Sequence, residues 1–260
     1  MTREPLDAVP LWLLFAAVPA ISALAMEGGY RLGRWRHARS EDEQPTPVGA
    51  MAGSVVGLFA FLLAFTFGLA AARYETRRQA VLDEANAIGT TYLRTRLLPE
   101  PQRGASAALL REYVDVRVRG LHGGKLDDSV ARSQELQDRL WAEAGRAADT
   151  DRGPITGLYV QSLNQMIDLH AVRVQAGVRS RIPGSIWAGL VALSLLAMAS
   201  VGYQAGLSAT RRSPEMVVLV LAFAGVMFLI ADTDRPGEGF LTEDPQALID
   251  VQRGMTGGKP

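Results

Sequence analysis

The sequence predicts an all-α integral membrane protein: four transmembrane helices in two pairs, with a central extramembrane helical bundle. Three observations carry that expectation. Charged residues are nearly absent from four segments, about residues 11–26, 48–72, 182–207 and 214–231, although 21% of the chain is Asp, Glu, Lys or Arg. A bilayer core about 30 Å thick is crossed by roughly 20 apolar residues, and in a helix each backbone N–H and C=O is satisfied within the segment. The stretch between the second and third segments is charged, and its apolar residues recur at helical spacing. The expected organisation is therefore residues 1–73 for the first transmembrane pair, 74–181 for the extramembrane helical domain, 182–232 for the second pair and 233–260 for a C-terminal tail.

The first segment, Leu11 to Met26, is the shortest, and Ala23-Leu24-Ala25 matches a signal-peptidase site. Against cleavage, Arg3 is offset by Glu4 and Asp7, and the basic cluster Arg31, Arg34, Arg36 and Arg39 follows the apolar run rather than preceding it. Trp12 on one side and Tyr30 and Trp35 on the other mark interfacial edges. The second segment continues past the membrane as one long helix, because no proline occurs between Arg73 and Leu98. There Val81, Ala85, Ile88 and Tyr92 form one apolar stripe, and Pro99 and Pro101 end the helix.

A further helix is expected from about Ala105 to Val118, stopped by the glycines of Gly120–Gly124. The next starts near Asp127-Asp128-Ser129, which suit a helix N-terminus, with Leu136, Leu140, Trp141 and Ala144 inward. The last of this domain follows Gly153-Pro154 and turns Leu158, Ser162, Met166, Leu169 and Val174 inward. Four such helices make a bundle. Ser40 to Pro47 and the tail after Pro236 read as linker, and the tail is too short for an output domain of ordinary size.

Gly49, Gly53 and Gly57 form overlapping GxxxG spacings, and Ala60, Ala64 and Gly68 continue the small-residue line. Such a face lets helix backbones approach closely in lipid, within one subunit or between copies. Gly202 and Gly206 repeat the spacing in the third segment. Phe61 and Phe65 share a face near Leu58 and Leu69. Membrane phenylalanines ordinarily meet lipid or a neighbouring helix, but several copies arranged about an axis turn such residues into a constriction that gates by dewetting.

Glu27, Glu84, Asn86, Asp232, Asp234, Arg235 and Glu238 are polar candidates at the segment edges, where salt-bridged structural roles compete with functional ones. Asp232, Asp234 and Glu238 offer oxygens to a hard cation without the full ligand set of a calcium loop, so no metal is assigned.

Composition excludes several classes. Net charge is zero, with Lys125 and Lys259 the only lysines, so the basic excess of a nucleic-acid-binding face is missing. Without cysteine there is no disulfide scaffold or thiolate site. His37, His122 and His170 have no metal-binding spacing, and they read as surface or packing residues. No nucleophile elbow, P-loop, zinc-protease or dinucleotide fingerprint occurs, so neither enzymatic activity nor a cofactor is expected.

Three parts of the chain carry a family resemblance. They are the run from Gly57 through Leu98, including Arg73-Tyr74-Glu75-Thr76-Arg77-Arg78 and Glu84-Ala85-Asn86-Ala87-Ile88-Gly89-Thr90; Tyr113-Val114-Asp115-x-Arg117; and Asp232-Thr233-Asp234-Arg235-Pro236. Together they resemble the bacterial bestrophin-like domain family, whose activity is not established, over about Glu27 to Asp250. The layout is also similar to the bestrophins, pentameric anion channels with an apolar neck on the second span. That similarity implies a homo-oligomer in the bacterial inner membrane, in contact with lipid and permeable to an anion. It also implies a neck at Phe61 and Phe65 with Leu58 or Leu69. The acidic calcium clasp of the animal channels has no counterpart here. Arginines near the spans are divided almost evenly between the two sides, and the layout favours cytoplasmic termini and helical domain.

Two functional classes follow. In one, the second span lines an oligomeric anion channel, and Arg73 and Arg77 raise the local anion concentration by their field. In the other, the chain is a membrane-anchored helical sensor or interaction protein without permeation.

Overall fold

The structure, a computed structural model, describes residues 10–39, 45–121, 126–179, 181–209, 214–235, 240–241 and 244–257. Every regular element among them is helical: α1 (Leu11–Arg39), α2 (Pro45–Thr95), α3 (Gln102–Leu121), α4 (Leu126–Thr150), α5 (Pro154–Val174), α6 (Gly184–Leu207), α7 (Pro214–Asp234) and α8 (Gln246–Thr256), with a π-helical turn, Gln175–Arg179, after α5. Helices α1, α2, α6 and α7 are long and apolar enough to cross a membrane. Proline sets many of the starts: it opens α2, α5 and α7 and immediately precedes α6 and α8. Its fixed φ suits the first turn, where its missing N–H has no intrahelical partner to lose. At 51 residues, α2 is about 76 Å long at 1.5 Å per residue, far more than a bilayer requires.

The chain divides into two compact units, residues 1–72 with 181–241 and residues 73–180 with 242–260. In the first, Met26 of α1, Phe59 and Leu63 of α2, Leu190 and Met198 of α6, and Val220, Met227 and Ile230 of α7 share one apolar core. The pairing of α1 with α6 is built on glycine. A Cβ added to Gly29 would lie 2.0 Å from the Ala199 carbonyl oxygen, and one on Gly202 would lie 2.0 Å from that of Met26. One turn further along, Gly33 and Gly206 meet the carbonyls of Tyr203 and Tyr30 at 2.2 Å. Only hydrogen at these four Cα positions lets the backbones touch. Ser22 and Ser194 add a buried hydroxyl–hydroxyl bond of 3.2 Å across the same seam. The Gly202–Gly206 spacing is thus the one used inside the subunit, with Gly29 and Gly33 as its partners.

In the second unit, the C-terminal part of α2 with α3, α4, α5 and α8 encloses a separate core around Val81, Ala85, Ile88, Leu110, Tyr113, Leu136, Leu140, Tyr159, Leu163 and Met166. The stripe Val81, Ala85, Ile88 and Tyr92 lies in it or against it, as its spacing requires. Two inward assignments are corrected. Trp141 is 47% exposed and Leu158 is 44% exposed. Each sits one residue from a core position, Leu140 and Tyr159, and so is turned about 100° away from it.

The tail is corrected as well. It carries the amphipathic helix α8, whose Leu248 and Met255 are buried in this core. Tyr92 donates to the Met255 carbonyl at 3.3 Å, and Gln252 donates to Asp115 at 2.7 Å. His122, Glu238 and the glycines Gly123-Gly124 lie outside the described residues.

Candidate functional site

Helix α2 presents two opposite faces within the first unit. Ala52, Phe59, Leu63, Thr66 and Ala70 are buried, and Phe59 packs on Phe223 of α7 with ring centroids 4.9 Å apart. About 200° round the helix, the other face stays open. Phe61 is 68% exposed, Phe65 59% and Leu58 52%, while Leu69 is half-buried at the margin. Between them, a Cβ added to Gly53, Gly57 or Gly68 would meet nothing within 4 Å, and Ala64 is exposed. Gly49 alone of this line has a neighbour, the Gln204 side chain at 3.2 Å from its added Cβ. From Gly53 to Gly68 this line and the two phenylalanines therefore form one continuous apolar surface without a partner among the described residues.

Further along α2 the polar candidates separate. Arg73 is half-buried, Arg77 is buried with its guanidinium 5.9 Å from the Tyr74 ring centroid, and Asn86 is exposed. Glu84, fully buried in the second unit, is the centre of a polar cluster that draws on three other helices. Its carboxylate accepts from Tyr113 Oη at 3.0 Å and Arg117 Nη2 at 3.3 Å on α3, and from Arg173 Nη1 on α5. His170 Nδ1 on α5 lies 3.3 Å away and must be the donor, because an ionised carboxylate only accepts. Gln137 of α4 donates to the Tyr113 hydroxyl at 3.2 Å.

Burial pushes the Glu84 carboxyl up, but Arg117, the His170 hydrogen bond and Arg173 outweigh it and hold the group far below the usual carboxylate range. Burial, with the Glu84 charge beside it, pushes the Tyr113 phenol well above its ordinary value. The sequence points to Glu84 as a polar candidate, gives His170 only a surface or packing role and does not single out Arg173. The available signal was His170 and Arg173 at a three-residue spacing on one helical face.

Asp232 and Asp234 close the end of α7. The Asp232 carboxylate accepts from the backbone N–H of Phe240 at 2.9 Å and of Leu241 at 3.2 Å; that of Asp234 accepts from Ile182 N–H at 3.0 Å. Arg181 donates to the Asp234 carbonyl. These carboxylates hold backbone in place, and Arg235 beside them is buried. No group of three or more His, Asp or Glu among the described residues is arranged to hold a metal ion.

A family model, the Bestrophin-like domain, matches residues 20–248. The chain belongs to the bestrophin-like family. The bestrophin-like fold extends to solved structures: a bacterial bestrophin homolog from Klebsiella pneumoniae is similar at 14% identity over 96% of this chain and 99% of that one, with a TM-score of 0.64. A crystal structure of a membrane protein variant is similar at 14% identity over 96% of this chain and 100% of that one, with a TM-score of 0.68. At these identities the likeness is one of fold. No curated protein sequence matches this bestrophin-like chain.

Proposed function

We propose that the chain is one subunit of a homo-oligomeric anion channel in the bacterial inner membrane, with the open face of α2 lining the pore. The observation that carries this reading is that face itself: exposed Phe61 and Phe65 beside glycines with nothing near them, on a helix whose other face is already packed. Small residues let copies of α2 approach one another, and aromatic side chains brought to a common axis make an apolar constriction. Five copies, the spans as two pairs around a central cytoplasmic helical bundle, and cytoplasmic termini belong to the same reading by analogy with bestrophins. Arg73 and Arg77, one and two turns beyond Leu69, favour anions through their field; with Arg77 buried, that field comes from a fixed charge rather than a solvent-facing side chain. Channel function also accounts for a chain without enzymatic fingerprints.

The test is halide efflux from proteoliposomes containing the wild type, Phe61→Ala or Phe65→Ala, against empty vesicles. Conduction by the wild type with altered rate or selectivity in the variants supports the channel. No flux across pH, voltage and salt from a folded oligomer rejects it and leaves the sensor or interaction protein. A clean monomer on crosslinking in detergent rejects the pore as well.

A further inference from the structure

A cleft of about 430 Å³ opens in the second unit between α3 and α4. Its apolar lining includes Ala105 and Ala108 of α3 and Ala142 of α4, side chains too small to fill the space between the two helices. Glu112 of α3 and Arg139, Glu143 and Arg146 of α4 stand around them.

The ion pairs about the cleft leave one charge over. Glu143 lies one turn from both Arg139 and Arg146 on the same face of α4, and it pairs with Arg146 at 2.6 Å. Glu112 pairs with Arg132, which also holds Glu135 at 2.5 Å. Arg139 has no hydrogen bond or ion pair among the described residues, so the N–H donors of its guanidinium are all available. Glu112 and Glu143 each accept from one arginine, although a carboxylate has about four acceptor positions.

We infer that this cleft binds a small zwitterion of the α-amino-acid type, with its carboxylate on Arg139, its ammonium on Glu143 or Glu112 and an apolar side chain against the alanines. The lining selects for both signs of charge, because it holds two arginines and two glutamates. A simple anion on Arg139 would lie beside two carboxylates, and a simple cation on those carboxylates would lie beside Arg139. A ligand carrying both charges gains both contacts. Arg139 and Glu143 are four residues apart on one helix, which puts their Cβ atoms about 5–6 Å from one another. Such spacing suits a molecule whose carboxylate and ammonium share one carbon. The Glu143 side chain is only 15% exposed, and a charge-assisted bond to it is stronger for being partly withdrawn from water. The volume is within the ordinary range of small-molecule sites. The site lies within the second unit and does not depend on whether the chain conducts.

Isothermal titration of the full chain in detergent tests this with free leucine, the other apolar amino acids, and the deaminated and decarboxylated analogues of whichever binds most tightly. At least one apolar amino acid is expected to bind, and removing either charged group should weaken binding about tenfold or more, the scale of one hydrogen bond to a charged partner. Arg139→Gln should lower the amino acid to the affinity of its decarboxylated analogue, whereas Arg139→Lys should keep part of the difference. Arg139 is exposed, so Arg139→Gln should leave thermal unfolding unchanged, which separates lost binding from lost fold. Ala142→Leu, which fills the cleft and removes no charge, should abolish binding of every probe. If no apolar amino acid binds at millimolar concentration, the cleft is ordinary solvated surface and the proposal is overturned. Equal affinity for the amino acid and both analogues overturns it too, as does binding that survives Arg139→Gln undiminished.

Discussion

Replacing Gly202 by Ala places a methyl group 2.0 Å from the Met26 carbonyl oxygen, where ordinary contact is at least 3.4 Å. The obstacle is backbone on a rigid helix, so no side chain can swing aside. Helices α1 and α6 must separate locally by about 1.4 Å, the difference between those two distances. A gap of 0.5–1 Å already forfeits about a quarter to a half of the dispersion well, so the seam through Gly29, Gly33, Gly202 and Gly206 loses most of its contact near the substitution. It also strains the Ser22–Ser194 bond. The expected cost is about 3 kcal/mol, the upper end for overpacking, or a drop in Tm of about 6–12 °C. Thermal unfolding in detergent, followed by tryptophan fluorescence and by loss of the monodisperse gel-filtration peak, reads it out. Gly28→Ala on α1 and Gly189→Ala on α6 are the internal controls, since a Cβ there meets nothing, and both should melt within about 2 °C of the parent. A Gly202→Ala protein that also melts within about 2 °C of the parent would refute the argument that glycine is what joins α1 to α6.

Glu84→Gln should destabilise the helical unit by about 3–5 kcal/mol in a denaturant titration of the full chain, because it takes from the buried Arg117 and the half-buried Arg173 the carboxylate they share. The native carboxyl is depressed, so the Glu84 contribution is complete above its unfolded value of about 4.5 and is lost as pH falls toward the native one; in the Gln variant that part of the acid dependence should be absent. For Tyr113 the sign reverses: its phenol is raised, so its contribution is present below pH 10 and fades as pH climbs toward the native value, and Tyr113→Phe should show a flatter stability profile above pH 10. Leu248→Ala, at a fully buried position on α8, should cost about 2–5 kcal/mol and speed hydrogen exchange across residues 246–256, whereas a tail that behaved as linker would show no change.

Much of this arrangement is local in origin. The open face of α2 follows from its own spacing, since residues 57, 61, 64, 65 and 68 fall on one side of any α-helix. What spacing leaves undetermined is whether a neighbour covers that side. The same holds for the glycines: spacing leaves open whether Gly49, Gly53 and Gly57 pack within one subunit or between copies, and inside the subunit it is the shorter pairs Gly29–Gly33 and Gly202–Gly206 that bring backbones into contact. Trp141 and Leu158 are apolar and adjoin the core positions Leu140 and Tyr159, and a shift of one residue suffices to turn a side chain outward. The tail reads as linker in the sequence, and its helix α8, at 11 residues, is too short to be stable alone; its burial of Leu248 and Met255 depends on a core assembled from four other helices.

By itself the sequence determined the helical class, the four apolar segments and the long continuous α2, because helix formation and membrane crossing depend on composition and period over a few consecutive turns. Only the tertiary structure decided which faces meet. Glu84 finds Tyr113 and Arg117 29 and 33 residues away and His170 and Arg173 86 and 89 residues away. The apolar crevice lined by Val18, Trp187 and Phe228 likewise needs α1 beside α6 and α7. Such contacts depend on the rotation of each helix about its own axis, a quantity fixed by packing against the others and not by any one segment.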